Sequence, residues 1–353
     1  MRETEIELLC VGNAMVDVFV PATAEQLDSL GVTDPVRHTD PQTVRDILRS
    51  FPDVFFSAGG GAGNVAKVAA GLGLAVTFLG AVGDDSLGRF YETELERTGA
   101  RVRLFRGMNP TGICVIFQLP GGANRIVSAP AAALEFPGAF IEDELIQNAR
   151  ALALDGFMLR REDLTRHIFD RANRYGTVMV LDMGAPEIAG EQAANILRHS
   201  GEYPLILLMN EDETRAFYHG VLSSPQLRQK IREFPAVREQ HEKDGDIHRI
   251  FRFLRDLTAE DVFLIVAVKQ GKRGSTVFAG GTVYRKTTRA IIPRDSTGAG
   301  DSFCAAFLAA WLRGKSLADC ADLGNRVARE TLGINGTGVD PGKLAQIAKS
   351  RLA

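Results

Sequence analysis

Disulfide and zinc chemistry have almost no material in this chain. Its four cysteines, Cys10, Cys114, Cys304 and Cys320, stand singly with no C-x-x-C, and its six histidines are equally scattered. This argues against a disulfide framework or a zinc site and makes a reducing cytoplasm the expected setting. No apolar run approaches the length of a membrane span, and the opening MRETEIELLC lacks a signal-peptide layout, so no membrane partner is expected. Net charge is small, −3 over 353 residues, which leaves no footprint for nucleic acid as a partner. Two nucleotide motifs are also missing. There is no G-x-x-x-x-G-K-[ST] phosphate loop, and the first strand-like run carries VGNAMVD where a dinucleotide enzyme would carry G-x-G-x-x-G.

What is present is an ordinary globular composition, 45% hydrophobic and 24% charged, long enough for one large domain over 1–353. Short apolar runs end in a polar or glycine signal: ALALDGF (151–157), VMVLDMGAP (178–186), LILLMNEDE (205–213) and VFLIVAVKQG (262–271). Helically spaced segments such as EDLTRHIFDRANRYG separate most of them. Buried strands alternating with helices predict an α/β fold with a parallel sheet covered on both faces. Asp155, Asp182, Asn210 and Lys269 would then share the C-terminal strand edge, where such sheets bind ligands. Polar residues that merely mark strand ends would give the same pattern.

Two stretches break the rhythm. TGICVIFQLPGGANRIVSA (111–129) predicts a hairpin around Pro-Gly-Gly, and VGNAMVDVFVPA (11–22) predicts a strand with an aspartate at its centre. Segments near 11–35 and 101–130 are therefore expected to form a small β lid beside the main sheet. Residues 221–250, mixed in charge and poor in core residues, predict a surface helical insertion with no chemistry.

Two glycine clusters carry the chemical signal. DSTGAGD (295–301) stands directly before the helical pattern SFCAAFLAAWLRG. Small residues at a helix start let a ligand approach free N–H groups that attract anions. The carboxylate of Asp301 would repel that anion, unless its task is to take a proton from a nucleophile attacking it. The other cluster, first in chain order, SAGGGAGNVAKVAAGLG (57–73), leads through Gly59 and Gly60 to Asn64 and a helix buried on Val65, Val68, Ala69 and Leu72. On its own it fits close helix packing as well as a ligand-facing turn. LMNEDE places Asn210 and Glu213 three apart past a strand: either a helix cap or an oxygen-rich corner for hydrated Mg²⁺.

The ordered pair AGGGAGNVAKVAAGLG and DSTGAGDSFCAAF resembles the ribokinase family of sugar and nucleoside kinases, also called the PfkB family. The similarity extends through GNAMVD, AVGDDSLG, PTGICVIF, the N-x-x-E of Asn210 and Glu213, and KQGKRG, nearly the whole chain. It implies a ribokinase-like fold, a mostly parallel sheet with helices on both faces and a small β-rich lid, and a cytoplasmic kinase that is a monomer or homodimer. It implies Asp301 as catalytic base, with Gly298, Ala299, Gly300 and the Asp301 amide as an anion hole. Asp17, Gly59, Gly60 and Asn64, with Asn13 nearby, would hold sugar hydroxyls. Lys269, Gly271, Gly274 and Asn325 would line ATP, and Asn210 and Glu213 would support Mg²⁺ mainly through water. In some members the loop of Asp295 and Thr297 also ligates a monovalent cation such as K⁺.

PTGICVIF…NRIVSAPAAA and DMGAPEI lean towards adenosine kinase-like members, whereas GGGAGN is closer to general sugar kinases. The partners implied are ATP and either a nucleoside, slightly favoured, or a free sugar such as ribose or fructose. Met15, Phe157 and Leu159 would form an apolar shelf for a base. A silent nucleotide-binding homologue is the non-kinase alternative, though such a chain usually lacks the base that Asp301 supplies. Finally, alternation along β structure predicts that Asp17 faces away from Val16 and Val18, into the cleft between lid and sheet.

Overall fold

The computed structural model describes residues 6–120, 123–199, 204–225, 250, 264–334 and 336–352. In chain order its strands are β1 (Ile6–Val11), β2 (Met15–Pro21), β3 (Val36–His38), β4 (Phe55–Gly59) and β5 (Val76–Gly83). Then come β6 (Arg101–Gly107), β7 (Gly112–Gln118), β8 (Asn124–Ala129), β9 (Ala149–Asp155) and β10 (Val178–Asp182). Last are β11 (Leu205–Asn210), β12 (Leu264–Lys269), β13 (Ser275–Ala279) and β14 (Thr282–Lys286).

Nine strands form the large sheet in the order β14-β13-β12-β11-β10-β9-β1-β5-β6. From β6 to β12 every neighbouring pair is parallel, and the antiparallel pairs are the two that β13 makes, with β12 and with β14. The interior strands are apolar on both faces because helices cover both: Leu8, Leu9, Cys10 and Val11 of β1 are all fully buried. Two hydrophobic layers result. One packs the helices Gly61–Gly71, Ala299–Leu312 and Leu317–Thr331 against the sheet, and the other packs Glu162–Tyr175, Pro186–His199 and Glu211–Ser223. This is the mostly parallel, two-sided α/β architecture expected.

The small sheet has the order β3-β8-β7-β2-β4. The hairpin appears as β7 and β8, antiparallel with Gln118 opposite Asn124. Membership of this sheet differs from the sequence expectation at two places. Residues 101–107 belong to the large sheet, because β5, the helix Ser86–Glu96 and β6 make a parallel crossover unit. In their place the small sheet recruits Val36–His38 and Phe55–Gly59, two short segments whose strand character comes from pairing rather than pattern. The expected surface insertion also begins too early. Residues 221–223 complete the helix Glu211–Ser223, with Val221 fully buried, and 226–249 lie outside the described residues.

Candidate active site

Strand register brings the four polar strand ends to one edge of the sheet as two rows two residues apart, since Asp182 stands opposite Leu208 and not Asn210. Asp155 pairs with Asp182 across β9 and β10, and Asn210 pairs with Lys269 across β11 and β12. Lys269 reaches over β11 to put its Nζ 2.8 Å from Asp182 Oδ1. Burial alone would lower the Lys269 ammonium, but Asp182 and Glu213 outweigh it and hold the lysine above its ordinary range. Asp182 Oδ2 is buried without a partner among the described residues.

Above this edge sits the first glycine cluster. β2 runs antiparallel to β4, with Met15 opposite Gly59 and Asp17 opposite Ser57. Val16 and Val18 are fully buried in the core, so Asp17, 5% exposed, points to the other side as alternation requires. Its carboxylate fills the space where a Gly59 side chain would stand, within 2.3 Å of the ideal Cβ position. Gly60 has φ +77°, and a Cβ there would meet the Asn13 carbonyl oxygen at 2.1 Å. Only glycine permits both the left-handed turn and that close approach. Gly60 caps the helix Gly61–Gly71 without a side-chain bond. Asn13 and Asn64 each keep a side-chain oxygen buried with no partner among the described residues.

The second cluster closes the site from the opposite side. Gly298 takes a left-handed conformation (φ 73°) and starts the helix Ala299–Leu312 with no side-chain cap. The Ala299 N–H, expected in the anion hole, instead turns back to the Ser296 carbonyl (3.4 Å), so that among the described residues the Gly300 and Asp301 amides are the ones left open. Gly300 faces Lys269, whose Nζ lies 3.2 Å from where a Gly300 Cβ would be. Asp301 meets the first cluster directly: Asn64 Nδ2 donates to its Oδ2 at 2.8 Å. Burial, followed by the charge of Asp182, pushes the Asp301 carboxyl up to about 7, against the Asn64 bond and Lys269. Asp155 is pushed up to about 6, first by burial, and its Oδ1 accepts the Phe157 N–H at 3.0 Å. Burial raises Asp17 as well, opposed by the Lys67 ammonium.

The remaining expected residues fall into two groups. Asn210 and Glu213 close on each other as a capping box: Glu213 Oε2 accepts the Asn210 N–H at 2.7 Å, and Asn210 Oδ1 accepts the Glu213 N–H at 2.8 Å. Glu213 is 3% exposed, and its carboxyl is raised by burial, with the Lys269 ammonium opposing and the charge of Asp182 adding to the rise. Gly271 (φ +54°) and Gly274 (φ +95°) shape the turn from β12 to β13. Asn325 lies on the helix Leu317–Thr331 and donates to the Lys286 carbonyl at the end of β14 (3.1 Å). These three border the outer sheet, whereas Lys269 stands inside, beneath the helix start. Leu159 is a core residue, 2% exposed in the second hydrophobic layer; Met15 is also buried, at 8%, and Phe157 packs partly buried against that layer.

Among the described residues no group of three or more His, Cys, Asp or Glu could hold a metal ion. Magnesium, which keeps most of its water, needs no such group. The Asp182 oxygen that has no partner among the described residues fits a hydrated cation accompanying phosphates, whereas Glu213 Oε1 and Oε2 are each held by Asn210 (2.8 and 2.7 Å) and would face such a cation only through water. A monovalent cation at Asp295 does not fit. Asp295 Oδ1 accepts Thr297 N–H (2.9 Å) and Oγ1 (2.8 Å), while Oδ2 accepts Gln118 Nε2 (2.9 Å) and Gly336 N–H (3.0 Å). Four bonds use up a carboxylate's acceptor directions. Asp295 is the clamp that ties the loop to β7 of the small sheet.

A first prediction follows from the Gly300 contact. Gly300→Val is expected to push Lys269 off the helix start and cut turnover per folded molecule about 10²-fold, since a misplacement of about 1 Å costs that much. The obstructing atom is the end of a flexible lysine, so melting temperature should change little. Unchanged turnover with a lower melting temperature would make Gly300 a packing residue.

Residues 32–341 match the family described as pfkB family carbohydrate kinase. The adenosine kinase of Saccharomyces cerevisiae is 24% identical over 341 residues, covering 91% of this chain and 93% of that protein. The ribokinase of Arabidopsis thaliana is 27% identical over 327 residues, covering 89% of this chain and 72% of that protein. Among solved structures, the adenosine kinase from Sinorhizobium meliloti superimposes with a TM-score of 0.82 at 22% identity, covering 98% of this chain and 99% of its own.

Proposed function

The chain belongs to the pfkB family of carbohydrate kinases, and from that premise we propose that it moves the γ-phosphoryl group of ATP to a primary hydroxyl of a sugar or nucleoside. One contact carries this reading: the Asn64–Asp301 hydrogen bond, which joins two glycine motifs 237 residues apart at a single point. The acceptor hydroxyl stands against Asp301 and gives up its proton to that carboxylate as its oxygen bonds to phosphorus. The bond from phosphorus to the ADP oxygen breaks in the same displacement. The first amides of the Ala299 helix and the Lys269 ammonium receive the charge on the moving phosphoryl group. Asp17 and the free oxygens of Asn13 and Asn64 accept hydrogen bonds from the acceptor's other hydroxyls. Mg²⁺, bound with the nucleotide and facing Asn210 and Glu213 through water, would neutralise phosphate charge.

A nucleoside is the favoured acceptor over a free sugar. Support comes from the likeness to the yeast adenosine kinase and from Phe157, which lies alongside Gly184 with a ring carbon 3.4 Å from the ideal Cβ position. A thermal-shift screen of nucleosides and free sugars, each with a non-hydrolysable ATP analogue, tests this preference. Nucleosides should raise the melting temperature most. A larger shift with free ribose or fructose would reverse the preference.

The pH profile is a second check on Asp301. A general base works only when unprotonated, and this carboxyl is held near about 7. Therefore kcat/KM is expected to fall about tenfold per unit as pH drops below that value. An acid limb near 4, the ordinary carboxylate range, would contradict the assignment.

A further inference from the structure

Lys67 lies on the Gly61–Gly71 helix, three residues past Asn64, and nothing in its sequence setting distinguishes it from a solvated helix lysine. Its ammonium is nevertheless surrounded by protein acceptors. It donates to Ser57 Oγ (3.3 Å), to the Ala58 carbonyl oxygen, and to Thr337 Oγ1 (3.0 Å) and O (3.3 Å). Ser57 Oγ and Thr337 Oγ1 are themselves 3.3 Å apart. An ammonium has three protons, so these contacts saturate it and leave nothing for a ligand. Lys67 therefore serves other residues.

Both sets of partners belong to the site. Ser57 pairs with Asp17 across the small sheet, and Ala58 leads into Gly59. Thr337 packs on Gly298, its Cγ2 3.0 Å from the ideal Cβ position, and its neighbour Gly336 donates to the Asp295 clamp. One lysine thus touches β4, the strand paired with the one that presents the acceptor carboxylate, and the loop that supports the anion-binding helix start. Building on the phosphotransfer reading above, we propose that Lys67 is a positioning residue that holds the acceptor half and the phosphate half of the site in register through Thr337.

The ammonium also acts by its charge. It faces Asp17 of β2, Asp301 of the Ala299 helix and Glu94 of the Ser86–Glu96 helix, and its own pKa is pulled below the lysine range by burial. Asp17 further faces Asp295, and Asp301 further faces Asp155, Asp182 and Lys269. Most of these neighbours are acidic, so removing the Lys67 cation makes both Asp17 and Asp301 harder to ionise.

The test compares Lys67→Met, Lys67→Arg and Thr337→Val with wild type, measuring turnover per folded molecule, the two KM values and the pH profile. Lys67→Met should lower kcat about 10²-fold, the order expected for misalignment, with nucleotide KM unchanged and the acid limb moved to higher pH. Lys67→Arg should restore the acid limb. Thr337→Val should lower kcat without moving that limb, because it removes bonds and no charge. Wild-type kcat and pH profile in Lys67→Met, even at a lower melting temperature, would overturn the proposal. Should Lys67→Met fail to fold, Thr337→Val decides: unchanged kcat overturns the coupling, and a loss at constant nucleotide KM supports it. A wild-type protein inactive on every acceptor would count against phosphotransfer itself and take this proposal with it. An active wild type with an unaltered Lys67→Met counts against Lys67 alone.

Discussion

Asp301→Asn is expected to abolish turnover while ATP binding stays nearly intact. The amide has the shape of the carboxylate, and its Oδ1 still accepts the Asn64 Nδ2 that now donates at 2.8 Å. What it loses is the basic oxygen. General-base catalysis contributes about 10²–10⁴-fold, which is the smallest loss expected, and it should fall on kcat. Stability should move the other way. Asp301 titrates near about 7 when folded and near about 4 when unfolded. The folded state therefore binds the extra proton between those values, and the charged form costs stability as pH rises through that window. Above pH 7 the neutral amide removes that cost, so the variant should melt at or above the wild-type temperature. A variant within a fewfold of wild-type activity would remove Asp301 from the mechanism.

Asp17→Ala should raise the acceptor KM strongly and leave the nucleotide KM almost unchanged. Asp17 is 5% exposed on a strand wall, turned away from the core side chains of Val16 and Val18. Gly59 leaves its carboxylate the room that a side chain would occupy. A buried carboxylate in that position needs donors, and paired sugar hydroxyls are suitable ones. Sites built to hydrogen-bond a hydroxyl discriminate far more than apolar contacts do, so the loss should reach at least ~100-fold in kcat/KM. Steady-state kinetics with each substrate varied in turn checks the split. An equal rise in both KM values would make Asp17 a structural residue of the small sheet.

The site's outline was legible because it is written in local chemistry. Runs of apolar residues ending in Asp155, Asp182, Asn210 and Lys269 are parallel strands with polar ends, which puts all four at one sheet edge as anticipated. Alternation alone oriented Asp17. What stayed hidden depends on distant pairing. Lys269 was expected at the nucleotide, but it spans β11 to reach Asp182, a geometry that requires knowing the strand order. Asp295 reads as a cation ligand until Gln118 and Gly336, from two other parts of the chain, are seen to occupy it. Lys67 and Thr337 are 270 residues apart and carry no pattern at all. The available signal was one charged residue on an otherwise uncharged helix, GAGNVAKVAAG. The short strands β3 and β4 were missed for the same reason, since pairing and not periodicity makes them strands.

The central claim is that the two glycine motifs meet to phosphorylate a hydroxyl activated by Asp301. The most direct measurement supplies ATP and Mg²⁺ with a broad panel of nucleosides and free sugars, quantifies ADP, and locates the phosphate on the product by ³¹P–¹H correlation. The account predicts stoichiometric ADP and a phosphomonoester on a primary hydroxymethyl group, both lost in Asp301→Asn. Phosphate on a carboxylate, or no transfer to any nucleoside or sugar by a folded, ATP-binding protein, would contradict it.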